Sequence, residues 1–587
     1  MQPFDFTTLT AVCHELRANW LPARLELAYQ RDRHTLALAL RTLKKRDWLS
    51  ICWHPQAAHL CIGDAPPRTP DTFTFSQQLQ HQLGGLALVA IVPLAPWERA
   101  LDFQFARRPG DTILWHLYLE LMGKYSNVIL ANADNQIVTA AHQVSSQQSS
   151  VRPIQTGQPY DPPPALTDAI PGLTESQERW QERIGLIPGP IARNFLKNYR
   201  GLSSAQAQAI VQRAGLQPDQ STDTLQPEEW TRLFQIWQEW LRALEQEQFQ
   251  PGFTERGYSV LGWGVIQPTP NTQILIHQYY QGELDRQKFV QLHHQLGQKL
   301  KSLLKKLQDK GRTFQERLQQ SDQADQYREQ ADLLMAHLHE WEVGMKAIVL
   351  ADFQTGDPVK IPLEPEKNAV QNAQALYKRH QKLKRSRAAV QPLLEEVDKE
   401  IHYLEQVESS LIQLEIYRTQ EDLVALEEIQ DELIQQGYLE DPEYRNRPTH
   451  SDGGTNFYRY QTPSGFEILI GRNNRQNDQL TFRLAGDYDL WFHTQEIPGS
   501  HVLLRVTPGS VPEAIDFQVA ADLSAYYSRA RLSDQAPVVY TEPRHVYKPR
   551  GAKPGMAIYK QERVIWGNPH RGEAYLAKYT LSPGKTS

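Results

Sequence analysis

Cysteine is scarce. Cys13, Cys52 and Cys61 are three in 587 residues, an odd number too small for a disulfide framework and in keeping with a reducing compartment. Long apolar runs are missing as well: no stretch approaches the roughly 18 consecutive apolar residues that a membrane helix needs, and the start Met1-Gln2-Pro3-Phe4-Asp5-Phe6 has no basic leader ahead of an apolar segment. A soluble, cytoplasmic protein without membrane contact is expected. A phosphate-binding loop is missing too, because Tyr579 stands where a loop ending in Gly584-Lys585-Thr586 requires its first glycine. No nucleophile, base and acid fall into a catalytic pattern, so neither an enzyme activity of its own nor a cofactor is expected. Excess charge of one sign is also absent: 62 basic against 68 acidic residues give no overall attraction to a polyanion.

What is present is ample apolar material, 40% of the chain with 22% charged, enough for real cores, and a length that calls for three to five structural units. Charge is segregated along the chain. From Ala389 to Glu443 there are 16 acidic residues against Lys399 and Arg418, whereas from Thr541 onward nine Lys or Arg face three Glu.

Periodicity divides the chain. Alternating runs such as Arg24–Tyr29 and Thr35–Leu40, with helical patches near Leu9–Trp20 and Phe75–Leu83, make residues 1–165 an α+β domain; polar Ser145–Ser150 and the Pro162-Pro163-Pro164 run mark its linker. Residues 175–280 read as a helical, helix-hairpin-helix-like domain, with Gly201 at a turn and Ser203 as N-cap of the next helix, closed by a strand-like piece from Tyr258 to Ile276. Between 284 and 440, Phe289, Leu292, Leu296, Leu300, Leu303, Leu307, Phe314 and Leu318 form one apolar stripe, and Leu394, Val397, Ile401, Leu404, Leu411 and Leu414 a second. With a small hairpin near 345–362 between them, these predict a long antiparallel coiled-coil arm. After a Gly453-Gly454 linker, residues 455–570 read as a second α+β domain, with strands near Phe466–Ile470, Leu480–Leu484, Leu490–His493 and Val502–Val506, and a helix from about Pro512 to Arg531. The expected fold class is therefore multidomain α+β, two α+β end domains joined by the helical domain and the arm.

Candidate chemistry is concentrated in a few motifs. Cys52-Trp53-His54 and His59-Leu60-Cys61 mirror each other across a four-residue turn, a Cys₂His₂ set. Ligands this close on one tight hairpin rarely enclose a tetrahedral ion, and strand alternation accounts for the spacing, so no metal is expected. In Arg472, Asn473, Asn474, Arg475 and Asn477 the chain supplies forked donors, and in Trp491, His493 and His501 flat stacking faces, both suited to RNA; a surface turn beside an aromatic core fits the same residues. Arg544, His545, Lys548, Arg550 and Lys553, among glycine and proline turns, form a basic region that can meet phosphates or remain a solvated loop. The basic run Tyr377-Lys378-Arg379-His380-Gln381-Lys382-Leu383-Lys384-Arg385 reads first as a solvated helix face.

The chain resembles the NFACT family of ribosome-associated quality-control factors, once described as fibronectin-binding proteins. The resemblance rests on Phe4-Asp5 through His14-Glu15-Leu16, on Glu120–Asn127, on Asn372-Ala373-Gln374 with Tyr377-Lys378-Arg379, and on Gly471–Asp478, Trp491–Thr494, Ile497–His501, Ala525–Ser528 and Gly551–Gly555. It implies binding to a large ribosomal subunit still carrying peptidyl-tRNA, with recruitment of alanyl-tRNA for template-free tailing of the nascent chain, the peptide-bond chemistry belonging to the ribosome. It also implies tRNA recruitment through an Asp-Arg pair, here Glu98-Arg99, and through Glu120, Lys124 and Asn127; Glu98 lengthens the carboxylate arm by one methylene, and an ordinary salt bridge on a strand fits the same pair. Two other classes stand beside it. The N-terminal layout is reminiscent of MutM-type DNA glycosylases, but Pro3 lies behind Met1-Gln2 and no CxxC pair exists. A fibronectin-binding surface protein would need an export signal.

Overall fold

The computed structural model describes residues 1–580 apart from 67–69, 146, 148, 150, 151, 165, 166 and 441–455; the Gly453-Gly454 linker and part of Ser145–Ser150 lie outside the described residues. The chain forms two compact units, Met1–Asp285 and Arg286–Ser587.

The first unit opens with α1 (Phe6–Trp20), capped by Asp5, whose Oδ1 accepts from the Thr8 amide. A nine-stranded antiparallel sheet follows, built from β1 (Ala23–Asp32), β2 (Thr35–Arg41), β3 (Arg46–Cys52), β4 (His59–Gly63), β5 (Ala87–Pro93), β6 (Ala100–Ala106), β7 (Trp115–Glu120), β8 (Asn127–Asn132) and β9 (Ile137–Ala140), in the spatial order β4-β3-β2-β1-β5-β6-β7-β8-β9. A second helix, α2 (Thr74–Leu83), packs against β1. Four helices come next: α3 (Gln177–Gly185), α4 (Ile191–Asn198), α5 (Ser204–Arg213) and α6 (Pro227–Glu245). Their core stacks Trp180, Phe195, Trp230, Trp237 and Trp240. Ser203 caps α5 as expected, and its hydroxyl also donates to Asp5 Oδ2 at 2.6 Å, so one buried carboxylate serves both helix starts.

The strand expected over Tyr258–Ile276 is shorter. Three strands, β10 (Gly252–Thr254), β11 (Gly257–Ser259) and β12 (Val265–Pro268), make a small sheet, and at Thr272 the backbone turns into α7 (Thr272–Asp322). Two caps set that start: Asn271 Oδ1 accepts from the Ile274 amide at 2.9 Å, and Glu15 on α1 accepts from the Thr272 and Gln273 amides at 2.7 and 3.2 Å, placing a carboxylate on the helix N-terminus. The cysteine hairpin is core. Cys52 pairs with His59 across β3 and β4; burial pushes the Cys52 thiol up to about 11 and the His59 imidazole down to about 4. His59 donates to the Ala57 carbonyl and stacks on Tyr280 at 4.4 Å. Among the described residues no cluster of three or more His, Cys, Asp or Glu could hold a metal, and no helix is long and apolar enough to cross a membrane.

In the second unit α7 continues and is followed by α8 (Ala324–Ala336), the hairpin β13 (Ala347–Ala351) and β14 (Pro358–Pro362), then α9 (Ala369–Gln413) and α10 (Gln420–Gln435). Phe289, Leu292, Leu296, Leu300 and Leu304 of α7 pack with Tyr403, Leu404, Val407 and Leu411 of α9 and with Leu423, Leu426, Ile429 and Leu433 of α10. The helices run antiparallel: a Cβ on Gly297 would lie 3.8 Å from Leu411, one on Gly311 3.6 Å from Val397, and Asp322 pairs with Arg387.

A six-stranded antiparallel sheet ends the chain. It contains β15 (Tyr458–Gln461), β16 (Glu467–Ile470), β17 (Leu490–Thr494), β18 (Val502–Leu504), β19 (Ala536–Thr541) and, beyond the small pair β20 (Val546–Tyr547) and β21 (Ile558–Tyr559), β22 (Arg563–Gly567). Three helices accompany it: α11 (Asn474–Gln479), α12 (Ala514–Tyr526) and α13 (Pro569–Thr580), of which α12 covers one face. Leu480–Leu484 is not the expected strand. It extends α11 as a wide helical turn closed by Ala485 N–H to Leu480 O at 3.0 Å, because Asn473 caps α11 and starts the helix just ahead of it.

That turn sets the polar core. Trp491 Nε1–H donates to Thr481 Oγ1 at 3.0 Å, and the Thr481 hydroxyl is hydrogen-bonded to the buried His501 Nδ1 at 2.6 Å. Burial, reinforced by His493, lowers the His501 pKa to about 3. Between about 6.5 and 3 the unfolded chain therefore binds more protons than the folded one, and stability falls as pH drops, with a slope of up to ~1.4 kcal/mol per pH unit from this residue. Denaturant unfolding of this unit from about pH 7 down to about pH 4 should show that loss, and His501→Gln should reduce the slope by about half, since His493, lowered to about 4 by burial, supplies the rest; an unchanged slope would remove His501 as a cause.

Arg472 adds a second test. Its guanidinium, 6% exposed, donates to Asp422 at 2.9 Å and Glu421 at 2.6 Å on α10 and lies 4.2 Å from the Tyr458 ring centroid. Arg472→Ala leaves Asp422 buried without its partner and should cost ~3–5 kcal/mol, read as a lower denaturant midpoint for the second unit alone.

Candidate nucleic-acid interfaces

Two surfaces gather the motif residues, one in each unit. In the first unit Trp97, Glu98 and Arg99 form the turn between β5 and β6, not a strand. Trp97 holds φ 61°, a conformation that costs a non-glycine residue of order 1 kcal/mol and needs surrounding packing to hold it. Phe6 stacks on its ring at 4.6 Å and Trp240 meets it edge-on at 5.4 Å. Gly201 passes so close that a Cβ would lie 2.6 Å from the Trp97 ring, and its own φ is +80°, so glycine is required twice over. Glu98 and Arg99 do not pair with each other. Buried Glu98 faces Arg200 at 3.8 Å, and half-buried Arg99 donates from Nη1 to the Phe4 carbonyl at 3.0 Å.

The register brings the second motif to the same end of the sheet: Ala100 pairs with Glu120, and the Leu121 amide donates to the Arg99 carbonyl at 2.9 Å. Glu120, 1% exposed, takes Arg152 in a two-pronged ion pair and accepts from the Tyr160 hydroxyl at 2.9 Å. Asn127 is buried too, bonded to both the amide and the carbonyl of His142. Between them the turn Gly123–Tyr125 projects outward. Lys124 and Tyr125 are exposed, Tyr125 by 70%, with the ammonium 4.9 Å from the ring centroid. Tyr125 did not stand out as a site residue in the sequence, although an aromatic ring in an exposed turn beside lysine is the available signal.

In the second unit the residues expected to face RNA divide sharply. Arg472, Asn473, Asn474 and Asn477 are buried, so the expected surface turn is instead a clasp onto the acidic α10. Asn473 Nδ2 donates to Glu428 at 2.6 Å, Asn474 Nδ2 to Glu432 at 3.1 Å, and Arg475 to Gln435 at 2.5 Å. Asn477 Oδ1 accepts from the His501 amide at 3.0 Å. Burial raises the Glu432 pKa to about 7, and the Tyr403 hydroxyl donates to it at 2.6 Å. Trp491 and His501 belong to the core, and His493 stacks beside Trp491 at 5.7 Å. The Ile497–His501 motif docks on α9: the Gly499 amide donates to Gln406, and a Cβ on Gly499 would meet Ser528 at 2.7 Å.

The exposed cations lie around the β20–β21 pair. Arg544 pairs with Glu542 and Lys548 with Asp478, while Arg550, Lys560 and Arg563 are exposed, the Lys560 ammonium 5.8 Å from the ring centroid of exposed Tyr547. His545 is half-buried. Lys553 points inward between Tyr403 and Tyr438, 4.6 Å from each ring centroid, and desolvation lowers its pKa.

Known proteins match nearly the whole chain. The family described as NFACT N-terminal and middle domains matches residues 5–452, and the NFACT protein RNA binding domain matches residues 456–560. The Rqc2 homolog RqcH of Bacillus subtilis is 28% identical over 580 residues, covering 96% of this chain and 98% of its own. That of Streptococcus suis is 30% identical over 585 residues with the same coverage. Among solved structures, the C-terminal part of the Streptococcus suis fibronectin/fibrinogen-binding protein covers 49% of this chain and 98% of its own at 30% identity and TM-score 0.38. The N-terminal part of that protein covers 47% and 99% at 22% identity and TM-score 0.38. The chain belongs to the NFACT family, with that family's RNA-binding domain at its C-terminal end.

Proposed function

We propose that this protein is a cytoplasmic ribosome quality-control factor that binds a large ribosomal subunit obstructed by peptidyl-tRNA and recruits a tRNA, alanyl-tRNA in the first instance, for template-free extension of the stalled chain. It performs no bond chemistry itself. Its contribution is positioning, which turns an encounter of separate molecules into a reaction between held ones. The four-part layout, an N-terminal α+β domain, a helical domain, a coiled-coil arm and the RNA-binding domain, serves to span the subunit.

The observation that carries the reading is the convergence of two motifs at one end of the first unit's sheet, where Leu121 binds Arg99 through the backbone and the neighbouring turn presents Lys124 and Tyr125. Arg99 and Lys124 supply cations for phosphate and Tyr125 a face for a base. Glu98, Glu120 and Asn127 act as positioning residues that hold those turns. In the second unit the cations around β20–β21 provide the RNA contact, and Arg472–Asn477 with Trp491 and His501 hold its frame.

Affinity purification of the tagged protein from its own cells, with sequencing of bound RNA, should recover large-subunit rRNA and few tRNA species, and little small-subunit rRNA. Recovery of no ribosomal RNA would overturn the reading. Arg99→Ala should abolish tail synthesis while subunit binding persists, and unchanged tails would remove Arg99 from the role. Tyr125→Ala should lower tRNA recovery about tenfold, since stacking on an aromatic ring is worth ~1–3 kcal/mol per base; undiminished recovery would exclude the ring as a tRNA contact.

A further inference from the structure

The loop between β20 and β21 carries two cations three residues apart, and the fold sends one outward and the other inward. Two tight turns stand back to back there: the Ala552 amide donates to the Pro549 carbonyl at 3.0 Å, and the Met556 amide to the Lys553 carbonyl at 3.3 Å. Gly551 and Gly555 hold the third place of each turn at φ 76° and 77°, a conformation that suits glycine. Arg550 is exposed, with no ion pair among the described residues, whereas Lys553 is partly buried.

Lys553 ends in a cage. Its ammonium is 4.6 Å from the ring centroids of both Tyr403, on α9, and Tyr438, just past α10, two rings that stack 6.0 Å apart. It donates to the Tyr438 hydroxyl, and Glu400 lies at 3.9 Å. The cage is itself held, because the Tyr403 hydroxyl donates to buried Glu432 at 2.6 Å and that of Tyr438 to Glu400 at 3.4 Å. A compact ammonium set between two ring faces and a carboxylate has its charge satisfied within the fold and does not offer it to a phosphate. The loop is also fastened to α11: the Gly555 amide donates to Asp478 at 3.1 Å, Lys548 pairs with the same carboxylate, and a Cβ on Gly555 would run into the Asn474 side chain. Lys553 stands at the joint between the two turns, so its attachment is the one that fixes the turn presenting Arg550.

We infer that Lys553 is a positioning residue: caged by Tyr403, Tyr438 and Glu400, it makes no phosphate contact itself and pins the β20–β21 loop so that Arg550 meets the RNA backbone already in place. This rests on the reading above that the cations around β20–β21 contact ribosomal RNA, and it adds which cation of the loop touches RNA and which one sets the loop. Holding the loop before RNA arrives removes the cost of ordering it on binding.

The test uses the full chain and purified large subunits, with binding followed by sedimentation across a range of salt. In Lys553→Met the stem stays and the charge goes. Affinity should fall about three- to tenfold at every salt concentration, because the loop must then be ordered on binding. The slope of log affinity against log salt should stay at the parent value, since no phosphate contact is lost. Arg550→Gln should instead lower that slope by about 1. Tyr438→Leu opens the cage from the other side and should match Lys553→Met, and the double variant should bind no more weakly than either single one. Amide exchange of residues 549–556 in the free protein should speed up in Lys553→Met while the rest of the second unit keeps its rates. A slope lowered by about 1 in Lys553→Met would mean that Lys553 touches phosphate and overturns the pin. So do parent affinity, additive losses in the double variant, or unchanged exchange in the loop. Faster exchange across the whole second unit makes the cage a fold element only and overturns the pin too. A parent slope in Arg550→Gln takes the loop off the RNA and the pin with it. Failure of the unaltered chain to bind subunits overturns the ribosomal reading itself.

Discussion

The second unit depends on taking Arg472 out of water. A buried guanidinium is tolerated only with carboxylates against it, and losing one partner of such a pair costs several kcal/mol. Asp422 and Glu421 supply them from α10. The next residues follow the same logic, Asn473 on Glu428 and Asn474 on Glu432, and Asn473 at the same time caps α11. Once α11 is fixed, its continuation brings Thr481 between Trp491 and His501, and Asn477 takes the His501 amide. The sheet, the helical turn beside it and the acidic helix are therefore held by one connected set of polar contacts.

The first unit uses carboxylates differently, as caps that reach across the sequence. Asp5 serves α1 and, through Ser203, α5; Glu15 serves α7. Each places negative charge where unsatisfied amides accumulate. The consequence at the candidate interface is rigidity. Trp97 can hold a left-handed backbone because Phe6, Trp240 and Gly201 surround its ring, and Arg99 is tied to the Phe4 carbonyl one residue ahead of the Asp5 cap.

Features set by local spacing were legible in the sequence. The stripe buries as expected from Phe289 to Leu300, after which Leu304 enters the core and the expected Leu303 and Leu307 are only partly buried; the hairpin between the long helices forms at Ala347–Pro362, and Ser203 caps α5. Features set by a distant partner were not. The start of α7 is shared between a local cap, Asn271, which the sequence does offer, and the distant Glu15, which it does not. Leu480–Leu484 has a strand's composition, but the cap at Asn473 had already begun a helix. The burial of Arg472–Asn477 was hidden for a chemical reason: the forked donors of Arg and Asn that suit a phosphate suit a carboxylate equally well. Only the position of α10 shows which anion they meet.

The same substitution of one anion for another explains why a net charge of −6 says little about binding to a polyanion. In the acid-rich segment, Asp422, Glu428 and Glu432 face the clasp, and Glu405 and Glu408 lie against Arg529. Asp422, Glu405 and Glu408, each against an arginine, act as internal counterions. Screening at physiological salt limits an exposed charge to about 8 Å, so an approaching phosphate responds to the cations at the surface it meets and not to the chain's total. Lys124, Lys378, Lys382, Arg385, Arg550, Lys560 and Arg563 are such cations, exposed and with no ion pair among the described residues. Segregating charge along the sequence thus lets an acidic chain neutralise part of its excess within the fold while basic patches remain outward.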